Sequence, residues 1–199
     1  LAEVLDKSSQ PLFEKIVLAC IEQILTWREM GYNCLICINI DTRQLISDKF
    51  IAFIEETLQQ YSWLAQLISF EITEVCKIHD EVKAQAMLAK LRQYGFSISI
   101  DDFGTGFAAM QYLIKYPIDV LKIDRLFITD ILQDTKKQVI VKSVIEMAHS
   151  LSMQALAEGV SNREEIEYLR SLGCDLIQGF GFGVPMSSKD ASKWLKANY

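Results

Sequence analysis

Side chains that can bind a metal ion or move a proton follow six short apolar runs along the chain. In chain order they are Asn39, Glu71, Asp101 with Asp102, Lys122 with Asp124, Glu158 and Gln178. Carboxylate and amide oxygens are the ligands that Mg²⁺, Mn²⁺ and Ca²⁺ prefer, and an oxygen-only set disfavours Zn²⁺. A lysine among them can orient or deprotonate water. These residue types predict metal-assisted hydrolysis of an anionic ester, with about two divalent ions balancing the charge.

Each motif has an ordinary structural explanation when it is taken alone. Adjacent aspartates followed by glycine, as in Asp101-Asp102-Phe103-Gly104, also form turns, and Lys122 with Asp124 can be a buried structural pair. Asp-Phe-Gly also occurs in protein kinases, but the chain lacks their glycine-rich loop and their His-Arg-Asp segment. The repetition favours one common site, because every candidate residue follows an apolar run.

The spacing of the apolar runs predicts the elements that position these residues. The runs cover residues 35–38, 67–70, 96–100, 120–121, 154–157 and 175–177. They lie roughly 20 to 35 residues apart, which is enough for a crossover helix between parallel strands. Hydrophobic periodicity predicts helices over 10–30, 48–61, 79–94, 136–151, 161–172 and 187–197. The pattern predicts an α/β fold with the polar residues together at the carboxyl ends of parallel strands.

Six strands leave two folds of this class open. One is an open doubly wound sheet, and the other is a (β/α)8 barrel whose first two strands are not in the chain. No linker rich in proline or glycine divides the 199 residues, so we expect one domain.

Composition narrows the class of protein further. The net charge of −6 argues against binding to duplex nucleic acid. No signal peptide and no apolar stretch of about 18 residues occur, and the five cysteines form no disulfide pattern. We therefore expect a cytoplasmic protein. Because the chain does not begin with Met, we expect a piece of a longer protein, whose other domains could tether it to a membrane.

The motifs taken together resemble those of the EAL family of cyclic di-GMP phosphodiesterases. They are Asn39, Phe70-Glu-Ile-Thr-Glu74, Asp101-Asp-Phe-Gly-Thr-Gly106, Leu121-Lys-Ile-Asp124, Ala157-Glu-Gly-Val160 and Gln178-Gly179. The resemblance implies a modified, TIM-like (β/α)8 barrel. Residues 1–199 would then be an EAL-like domain without about its first two strands and without the Glu-Ala-Leu motif that names the family.

The resemblance also implies a role for each residue. The implied metal ligands are Asn39, Glu71, Asp101, Asp102 and Glu158. The implied catalytic residues are Lys122, Asp124, Glu158 and Gln178. Lys122 would orient the attacking water with help from Asp124, Gln178 would position water or phosphate, and Glu74 would brace the loop after Asp102. The implied reaction is the hydrolysis of cyclic di-GMP to linear pGpG with two Mg²⁺ or Mn²⁺ ions, in bacterial second-messenger signalling.

Two residues depart from the family pattern within the chain. Ser161 follows Ala-Glu-Gly-Val where the family usually has a second Glu, and Asp41 stands where the family usually has Ser. These departures leave an alternative, a catalytically weak or inactive receptor for cyclic di-GMP or a protein-interaction module.

A Mg²⁺-dependent enolising barrel is a third alternative, which the adjacency of Asp101 and Asp102 disfavours.

The resemblance also suggests a homodimer. The family often pairs through the segment after the Asp-Asp-Phe loop. Here that segment offers Phe107, Met110, Tyr112 and Leu113, although residues of these types more often belong to the core.

Overall fold

The computed structural model of the protein describes residues 2–73, 80–104 and 109–198. In this part of the chain the elements are, in order, α1 (Ala2–Glu29), β1 (Ile36–Asn39), α2 (Thr42–Leu45), α3 (Asp48–Gln60), β2 (Ile68–Thr73), α4 (Glu81–Gln93), β3 (Ser97–Phe103), α5 (Ala109–Lys115), β4 (Val120–Ile123), α6 (Arg125–Ile128), α7 (Thr135–Ser150), β5 (Gln154–Ala157), α8 (Arg163–Ser171), β6 (Leu176–Ile177) and α9 (Ser188–Asn198). A 3-10 turn, Leu64–Gln66, precedes β2.

The strands follow one another in a sheet in chain order, from β1 to β6. The pairs β1–β2, β3–β4, β4–β5 and β5–β6 are parallel. This alternation of helices with parallel strands confirms the predicted α/β class. Among the described residues, no helix has both the length and the apolar character that crossing a membrane requires.

Contacts between Cα atoms divide the chain into two compact units. The first unit comprises Leu1–Glu71, Cys76–Ser97 and Met186–Tyr199, and the second comprises Ile72–Val75 and Ile98–Pro185. The first unit is built around an aromatic cluster. The ring of Phe13 lies 5.3 Å from that of Phe50, and the ring of Phe70 lies 5.8 Å from Phe50 and 5.0 Å from Phe96.

The second unit has an aliphatic core. Leu121 of β4 pairs with Ala155 of β5, and Ile123 pairs with Ala157, so apolar side chains line both strands. These four residues are at most 1% exposed, and helix α7 adds the buried Val141, Ile145 and Ala148. Burial of this apolar surface holds β4 and β5 in a fixed register, which in turn fixes the residues at their carboxyl ends.

Most predicted helices are confirmed within a few residues, and capping side chains explain where they begin. Asp134 accepts hydrogen bonds from the N–H groups of Lys136 and Lys137 at the start of α7. The predicted start of the first helix near residue 10 is wrong, because α1 begins at Ala2. Residues 2–9 contain no glycine or proline, so nothing in them ends the helix. The short helices α2, α5 and α6 were not predicted.

Two apolar side chains in the segment suggested for dimer contacts are buried within the chain. Tyr112 and Leu113 are each 7% exposed, whereas Met110 is 58% exposed. Phe107 lies outside the described residues. The described cysteines, Cys20, Cys34, Cys37 and Cys174, are free thiols.

Candidate metal and catalytic site

A β-bulge at the carboxyl end of β3 presents two adjacent aspartates. Ile100 pairs with Leu121 of β4 and Phe103 pairs with Ile123, so three steps along β3 match two along β4. Neighbouring side chains in a regular strand point to opposite faces, and the extra residue breaks this alternation. Asp102 absorbs the irregularity with a φ of 55°, in the left-handed region that aspartate tolerates better than most residues. The prediction that β3 ends at residue 100 is wrong, since the aspartates belong to the bulged end of the strand.

Lys122 lies between one carboxylate in β3 and another that directly follows β5. It is 3% exposed and sits in β4 between the buried Leu121 and Ile123. Its Nζ atom is 2.7 Å from Oδ1 of Asp101 and 2.8 Å from Oε1 of Glu158. A buried ammonium group is costly unless it is paired, so these two contacts account for its position. The predicted apolar run ends at residue 121, whereas β4 continues to Ile123 and includes Lys122.

Three carboxylates of the second unit meet closely enough to hold a cation. One oxygen from each of Asp101, Asp102 and Glu158 lies within 4.8 Å of the others. Bonds from oxygen to Mg²⁺ or Ca²⁺ are about 2.0 to 2.6 Å long, so such a spread fits around one divalent ion. The donors are all oxygens, which suits Mg²⁺, Mn²⁺ or Ca²⁺. The residues present therefore fit the ion that the sequence predicts at this position.

The electrostatics of the cluster also favour a cation. Burial raises the pKa of Asp102, and the charge of Asp101 and a hydrogen bond with the Asp124 carboxyl raise that pKa further, against an opposing effect of Lys122. The carboxyl groups thus repel one another, and the single ammonium group of Lys122 does not relieve them fully. A divalent ion would supply the missing positive charge.

Asp124 and Gln178 lie beside this cluster. Asp124 Oδ1 accepts a hydrogen bond of 2.7 Å from the N–H of Leu126 and so caps α6. Both residues line a cavity of about 490 Å³ in the second unit. The other lining residues are Asp102, Arg125, Thr129, Asp130, Glu158, Gly159, Ser161, Glu165, Gly179 and Phe180. The structure therefore brings together the predicted residues that belong to β3, β4 and the segments after β5 and β6.

Asn39 and Glu71 belong to the first unit. They pair with each other in the register of β1 and β2. Glu71 is 7% exposed, whereas Asn39 is exposed. Their role as metal ligands stays a prediction, and Glu74, predicted to brace a loop, lies outside the described residues.

The carboxylate of Asp41, one of the two residues that depart from the family pattern, is paired with Arg43. Asp41 Oδ1 accepts hydrogen bonds from the backbone N–H of Arg43 at 2.7 Å and from its Nε at 3.1 Å. The side-chain hydrogen bond from Arg43 lowers the pKa of Asp41, against an opposing effect of burial. Asp41 therefore adds no unpaired acidic group to the end of β1.

Several lining residues were not singled out from the sequence. One of them is Glu165, whose Oε2 accepts hydrogen bonds from the N–H and the hydroxyl of Ser161 at 2.8 and 3.0 Å. The spacing Asn162-x-x-Glu165 at the start of a helix is a capping-box pattern and could have drawn attention to Glu165. Arg125, Thr129 and Phe180 carry no comparable local signal.

A family model now identifies the chain. The model of the EAL domain matches residues 4–185. The chain belongs to the EAL domain family. Cyclic di-GMP phosphodiesterase PdeR of Escherichia coli (strain K12) is 32% identical over 186 residues, which cover 94% of this chain and 28% of PdeR. The chain thus spans less than a third of the length of this relative.

Solved EAL structures share the fold. The structure of the EAL enzyme Bd1971 in its form bound to cAMP and cyclic di-GMP aligns with a TM-score of 0.84 and 32% identity, over 98% of this chain and 55% of that one. The manganese and cyclic di-GMP complex of Klebsiella pneumoniae BlrP1 aligns with a TM-score of 0.73 and 28% identity, over 84% of this chain and 43% of that one. These similarities confirm the predicted TIM-like α/β fold of EAL domains and decide against the open doubly wound sheet.

Proposed function

We propose that this EAL domain is a metal-dependent phosphodiesterase that hydrolyses cyclic di-GMP to linear pGpG. The observation that carries the proposal is the meeting of Asp101, Asp102 and Glu158 within 4.8 Å, with the Lys122 ammonium group against two of them. A cation site with a lysine beside it suits the attack of water on a phosphodiester. The name of the relative PdeR and the cyclic di-GMP complexes of Bd1971 and BlrP1 support this choice of substrate.

The metal ligands in the second unit are Asp101, Asp102 and Glu158. Divalent ions held by these oxygens would supply the Lewis-acid charge needed to polarise a phosphoryl oxygen and activate water. We propose Mg²⁺ or Mn²⁺, two ions in all, and the manganese complex of BlrP1 supports Mn²⁺. Asn39 and Glu71 complete the proposed ligand set.

The remaining residues bind and orient. Lys122 fixes the carboxylates of Asp101 and Glu158 through its Nζ atom and, in the proposed mechanism, also orients the attacking water. Asp124, which is hydrogen-bonded to Asp102, assists that orientation. Gln178 offers an amide donor and an acceptor at the cavity for water or for a phosphate oxygen.

A hydrolysis assay with metal and chelator tests the proposal. The purified protein is incubated with cyclic di-GMP and Mn²⁺ or Mg²⁺, and the products are separated by liquid chromatography. We expect pGpG with either metal and none after EDTA. Absence of pGpG at micromolar enzyme rejects the phosphodiesterase.

The second candidate function is a receptor that binds cyclic di-GMP without hydrolysing it. The observation that favours it is Ser161, which stands where the family usually has Glu. Calorimetry with Ca²⁺ and cyclic di-GMP separates the two candidates: binding without pGpG favours the receptor, and absence of binding leaves the protein-interaction module. The family match removes the motivation for an enolising barrel.

The wider setting follows the sequence expectations. The proposed domain is the whole chain, residues 1–199, acting in the cytoplasm within a longer protein and able to form homodimers. The coverage of only 28% of PdeR supports a longer protein.

A further inference from the structure

Glu165 is a buried carboxylate at the wall of the cavity. It is 6% exposed and is the third residue of α8. Its Oε2 atom accepts hydrogen bonds from the backbone N–H of Ser161 at 2.8 Å and from the Ser161 hydroxyl at 3.0 Å. Among the described residues, no basic side chain forms an ion pair with it. Burying a carboxylate is costly, so these hydrogen bonds must fix the side chain tightly.

Capping of α8 does not need this carboxylate. Asn162 is the N-cap residue, and its Oδ1 accepts a hydrogen bond of 2.9 Å from the backbone N–H of Glu165. That bond is independent of the side chain at residue 165. The carboxylate of Glu165 instead reaches back past the cap to the turn that begins at Glu158.

This turn, residues 158–161, is also held at its other end and in its middle. The N–H of Glu158 donates to the carbonyl of Ile123 in β4 at 3.1 Å, so the turn starts from the neighbouring strand. The N–H of Val160 donates to the carbonyl of Gln178 at 3.1 Å, and the N–H of Gly181 donates to the carbonyl of Val160 at 2.9 Å. Ser161, fixed by Glu165, is the last point of attachment.

The turn packs backbone to backbone against the segment that carries Gln178. A Cβ atom on Gly179 would lie 2.2 Å from the carbonyl oxygen of Val160, so only glycine permits this approach. A shift of the turn would therefore move both Glu158 and Gln178. Glu158 begins the turn, the carbonyl of Gln178 accepts a hydrogen bond from Val160 within it, and both residues are part of the proposed site.

We propose that Glu165 is a positioning residue, which fixes the turn through Ser161 and thereby places Glu158 and Gln178 together. Its consequence for catalysis rests on the proposed function, whereas its effect on the turn does not. Ser161 then fits the site as the partner of Glu165, and the acidic group at this corner of the cavity comes from α8.

Four variants separate positioning from mere stability. Glu165→Ala removes both acceptor bonds but leaves the Asn162 cap. Glu165→Gln keeps an acceptor oxygen. Ser161→Ala removes the hydroxyl bond alone. Glu164→Ala is the matched control, because Glu164 is an exposed glutamate in the same turn of α8 and does not line the cavity.

Hydrogen exchange measured by mass spectrometry tests the attachment without any substrate. In Glu165→Ala we expect faster exchange in peptides covering residues 158–162 and also in those covering 177–182. Ser161→Ala should show a smaller change of the same kind, and Glu165→Gln and Glu164→Ala should resemble the wild type. Unchanged exchange at both segments in Glu165→Ala overturns the proposal. Should Glu165→Ala fail to fold, the graded change in Ser161→Ala decides in the same way.

Steady-state kinetics test the consequence for the reaction. Removing a partner that orients catalytic groups typically lowers activity about 10- to 100-fold, so we expect kcat of Glu165→Ala to fall by that factor with KM changed little. Glu165→Gln should restore most of kcat. A wild-type kcat in Glu165→Ala overturns the positioning role, as does an equal loss in Glu165→Gln. If the wild type does not hydrolyse cyclic di-GMP, the proposed function fails, and hydrogen exchange still decides the role of Glu165.

Discussion

Aspartates lie at both ends of the strands in the second unit, but their contacts differ between the amino ends and the carboxyl ends. At the amino ends, Asp119 Oδ2 accepts a hydrogen bond of 3.0 Å from the N–H of Ile98, and Asp175 Oδ2 accepts one of 2.8 Å from the N–H of Ala155. At the carboxyl ends, Asp101 and Asp102 lie beside another carboxylate of the cluster. Aspartate side chains therefore join neighbouring strands at the amino ends and add electrostatic repulsion at the carboxyl ends.

The pKa values of these aspartates agree with their contacts: the pKa of Asp175 is lowered and that of Asp102 is raised. Burial raises the pKa of Asp175, but hydrogen bonds from Ala155 and His149 outweigh it, so the pKa is lowered overall. His149 Nε2 lies 2.8 Å from Asp175 Oδ2. The pKa of Asp102 is raised by burial and by neighbouring carboxyl groups. A carboxylate with hydrogen-bond donors contributes stability, whereas one crowded by other carboxylates carries an unfavourable energy that a bound cation can release.

The largest effect on activity is expected for Lys122→Met, which changes the carboxylate cluster at the carboxyl ends of the strands. The variant keeps the length of the side chain but removes the ammonium group that contacts Asp101 and Glu158. Loss of a group that orients the attacking water should lower kcat for cyclic di-GMP by about 10²- to 10⁴-fold. Chromatographic assay of pGpG measures it. Lys142→Met, in which an exposed lysine is changed, is the control, and activity of Lys122→Met within a few-fold of wild type would contradict the mechanism.

At the amino ends of the strands, Asp175→Ala should lower the stability of the protein without affecting catalysis. The variant leaves the N–H of Ala155 without its acceptor and removes the partner of His149. Loss of such hydrogen bonds should lower the free energy of unfolding by about 1 to 3 kcal/mol, with little change in kcat for the folded fraction. Urea unfolding measures the first and the pGpG assay the second.

Glu146→Ala is the control for Asp175→Ala. Its exposed pair with Lys142, at 3.9 Å, should contribute about 0 to 1 kcal/mol. An equal loss of stability in the two variants would show that the hydrogen bonds of Asp175 have no special weight.

The two ends also differ in how far the sequence predicts them. The repetition of apolar runs followed by polar residues predicts the strands and places Lys122, Glu158 and Gln178 at one end, because period and spacing are local properties of the chain. The bulge at Asp101 and Asp102 is not predictable in this way. It depends on how β3 pairs with β4, and an Asp-Asp-Phe-Gly segment is equally compatible with a simple turn.

The contact between Glu165 and Ser161 shows the same limit. The sequence indicates a helix that starts near Asn162 and an acid three residues later, which suggests a cap. It does not indicate that the carboxylate passes the cap to reach Ser161, since that depends on the path of the turn between β5 and α8. Local patterns therefore predict the elements, and the departures from regular geometry that shape the site come from tertiary pairing.

Asp102→Asn sharpens the comparison, because its effect on stability should have the opposite sign to that of Asp175→Ala. Asparagine tolerates the φ of 55° and can donate to Asp124, while the repulsion from Asp101 disappears. We expect the metal-free protein to gain about 0.5 to 1 kcal/mol in the free energy of unfolding, at the expense of Mn²⁺ affinity. Urea unfolding in EDTA and calorimetry with Mn²⁺ measure the two quantities. Lower stability of the metal-free variant would show that Asp102 is not strained by its neighbours.

The smallest effect concerns pH and the end that joins strands. The pKa of Asp175 is lower in the folded protein than the value of about 3.9 for an unfolded chain, so its ionised form favours folding. That contribution is complete above about pH 4 and is lost as the pH falls through the folded pKa. The difference in unfolding free energy between wild type and Asp175→Ala should therefore be present at about pH 5 and narrow as the pH falls below about 4. Thermal unfolding at a series of pH values measures this difference, with Glu146→Ala as the exposed control. A difference that widens in acid would mean that Asp175 is stabilised by something other than the hydrogen bonds to its ionised carboxylate.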